Sequence, residues 1–220
     1  MVIILIKKEI GKGPIIKALL LNPNSFYINY IMIITSYFKN ITKYFNLEKE
    51  IHTLPIYGCK SCGYKGMLHR HGYYSRNAIT RYSIHRINIL RVKCPSCGKT
   101  HAVLPSFLIP YYQYSLEFIF ECLYLSFILK KPYSKIVSLF NSLNPELSLN
   151  DSNISSFKKR MRENKFVINS FFANFDSLYY DMDNSSESAI LKKINVFSKD
   201  IFDFNSTFLE TMPRYFFSKI

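Results

Sequence analysis

Two pairs of cysteines constrain the fold of this chain more than any other feature. Two residues separate the cysteines in each pair, and a glycine follows each second cysteine. This spacing lets one tight turn aim two sulfurs at one point, and glycine tolerates the positive φ that such a turn needs. Four thiolates form a closed tetrahedral shell around Zn²⁺. The pattern therefore predicts one structural zinc ion and four ligands: Cys59, Cys62, Cys94 and Cys97.

The 31 residues between the two pairs are enough for a β-hairpin pinned at both ends by the metal, which is the zinc-ribbon arrangement. Intervals of about 15–20 residues are more usual, so we expect a long or decorated loop. The segments "LHRHGYYSR" and "AITRYSIHRINILRVKC" are predicted strands, with Asn77 in the turn between them. Neither segment alternates cleanly, which predicts a bulge or burial on both faces.

The beginning of the chain favours metal binding over disulfide bonds for the paired cysteines. "MVIILIKKEI" has no basic region ahead of its apolar run, so it is a poor signal peptide. The apolar stretch over residues 26–38 is too short and interrupted to span a bilayer. We therefore expect a cytoplasmic protein with no membrane partner, in which paired cysteines bind metal.

Positive charge is concentrated around the cysteines. Residues 52–114 contain nine basic residues and no acidic one, whereas residues 176–220 contain five basic and seven acidic residues. Five of the nine are arginines, which suit bidentate phosphate contact. Because four thiolates around Zn²⁺ contribute a charge of −2, the zinc-loaded ribbon has a net charge of about +7. The block favours a polyanion, with nucleic acid ahead of an anionic membrane or an acidic protein.

The second half of the chain has helical periodicity. A nearly all-apolar helix is predicted over residues 114–131, a second begins at Pro132, and a third begins at an Asp151 N-cap. The short turn before the third helix predicts helix-turn-helix geometry, with that helix in a DNA major groove. Its inward residues are predicted to be Ile154, Phe157, Met161 and Ile168.

The candidate nucleic-acid contacts are basic residues of the ribbon and of the third helix. They are Arg70, Arg76, Arg81, Arg86, Arg91, Lys93, Lys158, Lys159, Arg160 and Arg162.

The complete prediction is an α+β protein in four parts. A strand at residues 2–6 and an amphipathic helix at about 25–49 occupy residues 1–51, which could mediate pairing of two copies. A small four-cysteine zinc-ribbon β-hairpin domain follows at 52–110, then an all-α helix-turn-helix domain at 111–175. Residues 176–220 are an acidic, weakly periodic tail that is partly ordered or docks late.

Three segments carry a family resemblance: "RHGYYSR", "RVKCPSCGKTHAVLPSFLIPYYQYS" and "SNISSFKKRMREN". With them, residues 52–165 resemble bacterial transposase-like proteins that have an N-terminal zinc ribbon followed by a helix-turn-helix, including stand-alone members of unknown function. The resemblance implies that the four cysteines bind zinc and that the helix from Asp151 is the recognition helix. In insertion-sequence transposases, these modules recognise terminal DNA repeats ahead of a catalytic RNase-H-like domain.

The sequence departs from that family at its end. Strand transfer needs three separated carboxylates around two metal ions, whereas the late aspartates are crowded into a polar tail: Asp176, Asp181, Asp183, Asp200 and Asp203. We therefore expect a non-catalytic, nucleoid-associated DNA-binding protein, with a truncated transposase as a lesser alternative.

Other functions remain open. An RNA-binding ribbon could stack unpaired bases on four tyrosines: Tyr73, Tyr74, Tyr111 and Tyr112. A protein-interaction adaptor would use the basic ribbon against an acidic partner. The two cysteine turns also resemble those of rubredoxin, an electron carrier, although the basic ribbon argues for redox-inert zinc. Cys122 lies in the apolar helix and is predicted to be a core residue.

Overall fold

The computed structural model describes residues 26–29, 32–35, 40–46, 53–59, 61–174, 186–198, 201–212 and 215–217. The predicted strand at residues 2–6 lies outside them. So do Asp176, Asp181, Asp183 and Asp200, and of Asp203 only the helical backbone is described. The architecture of the described part is α+β, as the sequence predicts, with a zinc-ribbon-like sheet region followed by helices.

One sheet of five strands forms the first half. Its strands are β1 (Phe26–Asn29), β2 (Met32–Thr35), β3 (His69–Ile79), β4 (Ile84–Lys93) and β5 (Thr100–Pro105), in the spatial order β1-β2-β5-β4-β3. The β3–β4 and β4–β5 pairs are antiparallel, while β2 runs parallel to β5. The two antiparallel hairpins place the segments around both cysteine pairs at the same end of the sheet.

The predicted helix over residues 25–49 is wrong in its first half. Residues 26–29 and 32–35 form β1 and β2, and a helix, α1 (Ile41–Asn46), covers six residues only. Ile33 pairs with Val103 and is 1% exposed. Isoleucine and threonine favour strands because branching at Cβ restricts χ1 in a helix, and the edge of β5 offers them a backbone partner.

The turn of the central hairpin also differs from its predicted place. Asn77 lies inside β3 opposite Arg86, and the turn comprises Thr80–Ser83, where the Thr80 N–H donates to the Ser83 carbonyl at 3.0 Å. The Thr80 hydroxyl accepts from the Ser83 N–H at 3.2 Å, the local bonding by which threonine stabilises a turn. The predicted bulge is present between Arg70 and Tyr73, around Gly72 at φ +102°.

Helices make up the second half. They are α2 (Leu116–Phe127), α3 (Tyr133–Leu143), α4 (Asp151–Glu163), α5 (Lys165–Ala173), α6 (Glu187–Phe197) and α7 (Ile201–Thr211), with a 3-10 turn at Pro145–Leu147. The predicted third helix is divided in two at Asn164. All four residues predicted to point inward from it are buried: Ile154, Phe157, Met161 and Ile168. Among the described residues, every helix is too short or too polar to cross a bilayer.

The N-cap of α4 is Asn150, one residue before the Asp151 that the sequence suggests. The Asn150 side-chain oxygen accepts from the Asn153 N–H at 3.1 Å, and the Asn153 side-chain oxygen accepts from the Asn150 N–H at 3.0 Å. Asp151 is the first helical residue, where its negative charge still complements the positive end of the helix dipole. This reciprocal capping fixes where α4 begins.

The sheet and the helices share one buried core. The Ile79 N–H donates to the Gln113 carbonyl at 2.8 Å, and the Ser115 N–H donates to the Ile79 carbonyl at 2.8 Å, immediately before α2. Helices α6 and α7 pack on α2, and their residues Ile194 and Phe208 are buried in the same core. The hairpin is therefore held directly against the helices that follow it.

Candidate metal centre and basic surfaces

Two equivalent turns present the four cysteines. In the first, the Cys59 N–H donates to the Tyr64 carbonyl at 2.7 Å and the Gly63 N–H to the Cys59 carbonyl at 2.8 Å. In the second, the Cys94 N–H donates to the Lys99 carbonyl at 2.9 Å, and the Gly98 N–H donates to the Cys94 carbonyl at 3.0 Å. The two glycines have φ of +76° and +71°, as the sequence predicts for such turns.

The turns bring all four sulfurs together. The four Sγ atoms lie within 4.8 Å of one another. The Cys59–Cys97 and Cys62–Cys94 Sγ separations are each 3.7 Å. Four sulfurs at a Zn–S distance of about 2.3 Å in a tetrahedron are separated by about 3.8 Å. The donor set and its spacing are therefore compatible with one metal ion.

Burial and backbone dipoles differ across the cluster. Cys59 and Cys94 are buried, whereas Cys62 is exposed. Hydrogen bonds lower the pKa of the Cys62 thiol to about 7; the largest contribution comes from the Tyr64 N–H and further ones from the other three cysteines. A thiol with a lowered pKa releases its proton to solvent readily when a metal ion binds, and only the thiolate is a ligand.

His101 is one of three histidines near the cysteines that the sequence leaves out of the predicted ligand set, because four cysteines suffice. It lies in β5, is 1% exposed, and its Nε2 is 3.3 Å from the Cys59 Sγ. His69 and His71, which follow Cys62 by seven and nine residues, are exposed on β3. The signal available in the sequence was the position of His101, seven residues after Cys94 and directly beyond the second turn.

Cys122 is remote from the cluster. It is 0% exposed inside α2, and burial raises the pKa of its thiol far above the ordinary value. A thiol that stays protonated in an apolar helix packs as a small hydrophobic residue, as the sequence predicts.

The exposed basic residues of the ribbon lie on both faces of the sheet. Arg91 and Lys93 are exposed on one face of β4, and His69 lies opposite Lys93 on β3. Arg86 and Arg70 are exposed on the other face. Within the described part of the chain, none of Arg70, Arg86, Arg91 and Lys93 has an acidic partner.

Two predicted contact residues of the ribbon are instead used inside the molecule. Arg76 is half-buried and donates to the carbonyls of Ile109 and Tyr112. Burial lowers the pKa of its guanidinium. Arg81 forms a 2.7 Å ion pair with Glu121 of α2.

The basic residues of α4 are divided in the same way. Arg160 pairs with Glu163 at 2.7 Å, and the Lys158 Nζ lies 4.5 Å from the centre of the Phe127 ring. Arg162 pairs with Glu187 at 3.2 Å but keeps a side chain 57% exposed. The Lys159 side chain is 77% exposed, with Glu163 at 3.9 Å. Lys159 and Arg162 are therefore the α4 cations that an external ligand can reach.

Three of the four tyrosines proposed for base stacking are exposed. Tyr111 is 75% exposed, Tyr73 44% and Tyr74 37%. Tyr112 packs its ring on Phe157 and Phe217 instead.

Comparison with known proteins gives one match. A family model described as a domain of unknown function, DUF6431, matches residues 59–130, a span that contains the four cysteines, β3–β5 and α2. No curated protein matches the chain, and no solved structure does. None of these comparisons points to a transposase, so that resemblance stays a prediction.

Proposed function

We propose that this protein is a zinc-stabilised nucleic-acid-binding protein whose first ligand is duplex DNA. One observation carries the proposal: in an acid-free ribbon, the cations of β4 project outward with no acidic partner among the described residues. An unpaired group of cations raises the local concentration of a polyanion and accepts its phosphates.

The face of β4 that carries Arg91 and Lys93 is the proposed phosphate-binding surface. Residues two apart on a strand point to the same side, about 6.6–6.8 Å apart. His69 extends this surface onto β3, and exposed Lys99 follows the second cysteine turn. A metal ion bound by the four cysteines would hold both turns at this end of the sheet and would fix the direction in which these cations point.

Helix α4 supplies the proposed base-reading surface. Residues spaced three or four apart form an exposed stripe along it: Ser152, Ser155, Ser156, Lys159 and Arg162. Serine hydroxyls in the first turns of a helix, and cations further along it, can contact base edges and phosphates in a major groove. α3 and the turn before α4 supply the preceding helix of a helix-turn-helix.

The resemblance to transposase N-terminal regions agrees with this pairing of modules. We propose a targeting or regulatory role without strand-transfer chemistry. The ribbon binds the phosphate backbone of DNA, and α4 recognises the base sequence. The residues that carry this proposal lie within 69–162, in the described part of the chain.

A salt titration tests the proposal. The zinc-loaded full chain and a fluorescent random-sequence duplex are followed by anisotropy between about 50 and 300 mM KCl, in the range where phosphate contacts control affinity. Because each phosphate contact contributes about −0.9 to the slope of log K against log salt, Arg91→Ala/Lys93→Ala should flatten that slope by about 2. The matched control, Lys131→Ala/Lys192→Ala, removes two exposed lysines outside the ribbon and α4 and should leave it unchanged. No measurable duplex binding, or a slope insensitive to the ribbon variant, would contradict the proposal.

A competition experiment separates DNA from RNA. Exposed Tyr111 and Tyr74 favour RNA as the second candidate, since unpaired bases stack on tyrosine. If single-stranded RNA displaces the duplex at lower concentration, and Tyr111→Ala removes that advantage, RNA is the ligand. If neither nucleic acid binds while an acidic protein does, the ribbon is an adaptor.

A further inference from the structure

We infer that His101 completes the metal centre as a hydrogen-bond donor to the Cys59 thiolate, outside the set of four ligands. The inference concerns the metal site and is independent of the nucleic-acid proposal. It begins from a contact between residues 42 positions apart, the 3.3 Å approach of the His101 Nε2 to the Cys59 sulfur.

The position of His101 suits a donor. It lies opposite Val92 in the β4–β5 register and is 1% exposed, so its ring is fixed by the sheet. From β5 it reaches the first cysteine turn, whereas the second turn joins β4 to β5 directly. His101 therefore connects the two turns through a contact that does not pass through the metal.

The surroundings of the ring determine which nitrogen carries the proton. The Nδ1 atom is buried and has no hydrogen-bond partner among the described residues. A proton on Nδ1 would leave a buried donor unpaired and would direct the Nε2 lone pair at a negative sulfur. A proton on Nε2 instead gives an N–H···S bond, and only an acceptor stays unpaired. The Nε2–H tautomer is therefore favoured on both counts.

The electrostatics of the site give this bond a role. Four thiolates around Zn²⁺ leave a net charge of −2, and Cys59 is 2% exposed. Negative charge in a buried position is costly unless donors surround it. The backbone N–H groups of Tyr64 and Lys99 donate hydrogen bonds to the sulfurs of Cys62 and Cys97, the second cysteine of each turn. The imidazole N–H of His101 donates to the sulfur of Cys59, the buried first cysteine of its turn.

Zinc affinity and the spectrum of the Co²⁺-loaded full chain test this inference. His101→Phe keeps a ring of similar size but removes the donor, and we expect zinc binding, measured by chelator competition, to weaken by about 10–100-fold. The sulfur-to-Co²⁺ charge-transfer band should move to lower energy, because an N–H bond stabilises the sulfur electrons. His71→Phe, at an exposed histidine of the same ribbon, should change neither.

A second pair of variants keeps the test decisive if His101→Phe does not fold. His101→Gln retains an N–H donor, whereas His101→Met has a similar length and none. The glutamine variant should bind zinc more tightly than the methionine variant. Equal affinities in this pair, or an unchanged band in His101→Phe, would overturn the inference. A wild-type spectrum of three sulfurs and one nitrogen that becomes four sulfurs in His101→Gln would also overturn it, since His101 would then be a ligand.

Discussion

Arg81, in the turn between β3 and β4, forms an ion pair with Glu121 of α2 at 2.7 Å. The pair joins the tip of the ribbon hairpin to the first helix of the helical half, close to the two backbone hydrogen bonds of Ile79. The proposed phosphate-binding and base-reading surfaces are thereby held in one relative orientation.

Replacing Arg81 by methionine should raise the pKa of Glu121 further. Burial already raises the pKa of this carboxyl, and Arg81 opposes the shift. Because a raised folded-state pKa disfavours the charged form, the deficit in stability should be absent well below about pH 4 and grow as pH rises through the Glu121 pKa. Both side chains are partly exposed, so we expect a loss of at most about 1 kcal/mol at neutral pH. NMR titration of the Glu121 carboxyl and urea denaturation check this, and an unchanged pKa would show that the pair has no effect on it.

The basic residues should separate into structural and binding groups. Arg76→Met removes charged donors from the Ile109 and Tyr112 carbonyls, and we expect it to lower the free energy of unfolding by about 2 kcal/mol. Arg91→Met removes an exposed cation and should change stability by less than about 0.5 kcal/mol while weakening nucleic-acid binding. Urea denaturation compares the two, and equal destabilisation would show that Arg91 has a structural partner.

Metal removal should loosen the cysteine turns before the helices. Helices α2 to α4 pack through residues such as Phe118, Phe140 and Phe157, which need no metal. Chelation should therefore raise hydrogen exchange at residues 56–68 and 94–101 first. Cys62→Ser should abolish stoichiometric zinc binding, whereas Cys122→Ala should retain one zinc per chain, as measured by elemental analysis. Uniform exchange along the chain after chelation would show that the metal holds the whole fold.

The second cysteine turn should tolerate asparagine better than valine at Gly98. Its φ is +71°, and a Cβ there would meet no atom within 4 Å, so the cost is conformational and not steric. A left-handed residue other than glycine costs roughly 1–2 kcal/mol, least for asparagine and most for a β-branched side chain. Zinc affinity should fall in the order glycine, asparagine, valine. Equal affinities would show that the left-handed backbone conformation at position 98 does not limit metal binding.

The metal site could be predicted from the sequence because its geometry is local. Two residues between cysteines and a following glycine specify each turn, whichever strands surround it, and both turns formed as predicted. The inward face of α4 was predictable for the same reason, because a helical period requires only neighbours along the chain. The strands at residues 26–29 and 32–35 were missed because β2 depends on pairing with β5, about 70 residues away, and β1 pairs only with β2 among the described strands.

The sequence by itself determined that four thiols converge, that the chain is α+β, and that positive charge surrounds the cysteines. The tertiary structure alone decided which cations face solvent and which are used internally, as Arg91 and Arg76 show. It alone brought His101 to Cys59. Composition and spacing fix the chemistry of side chains and their local turns, whereas burial and partners arise only when distant segments pack against one another.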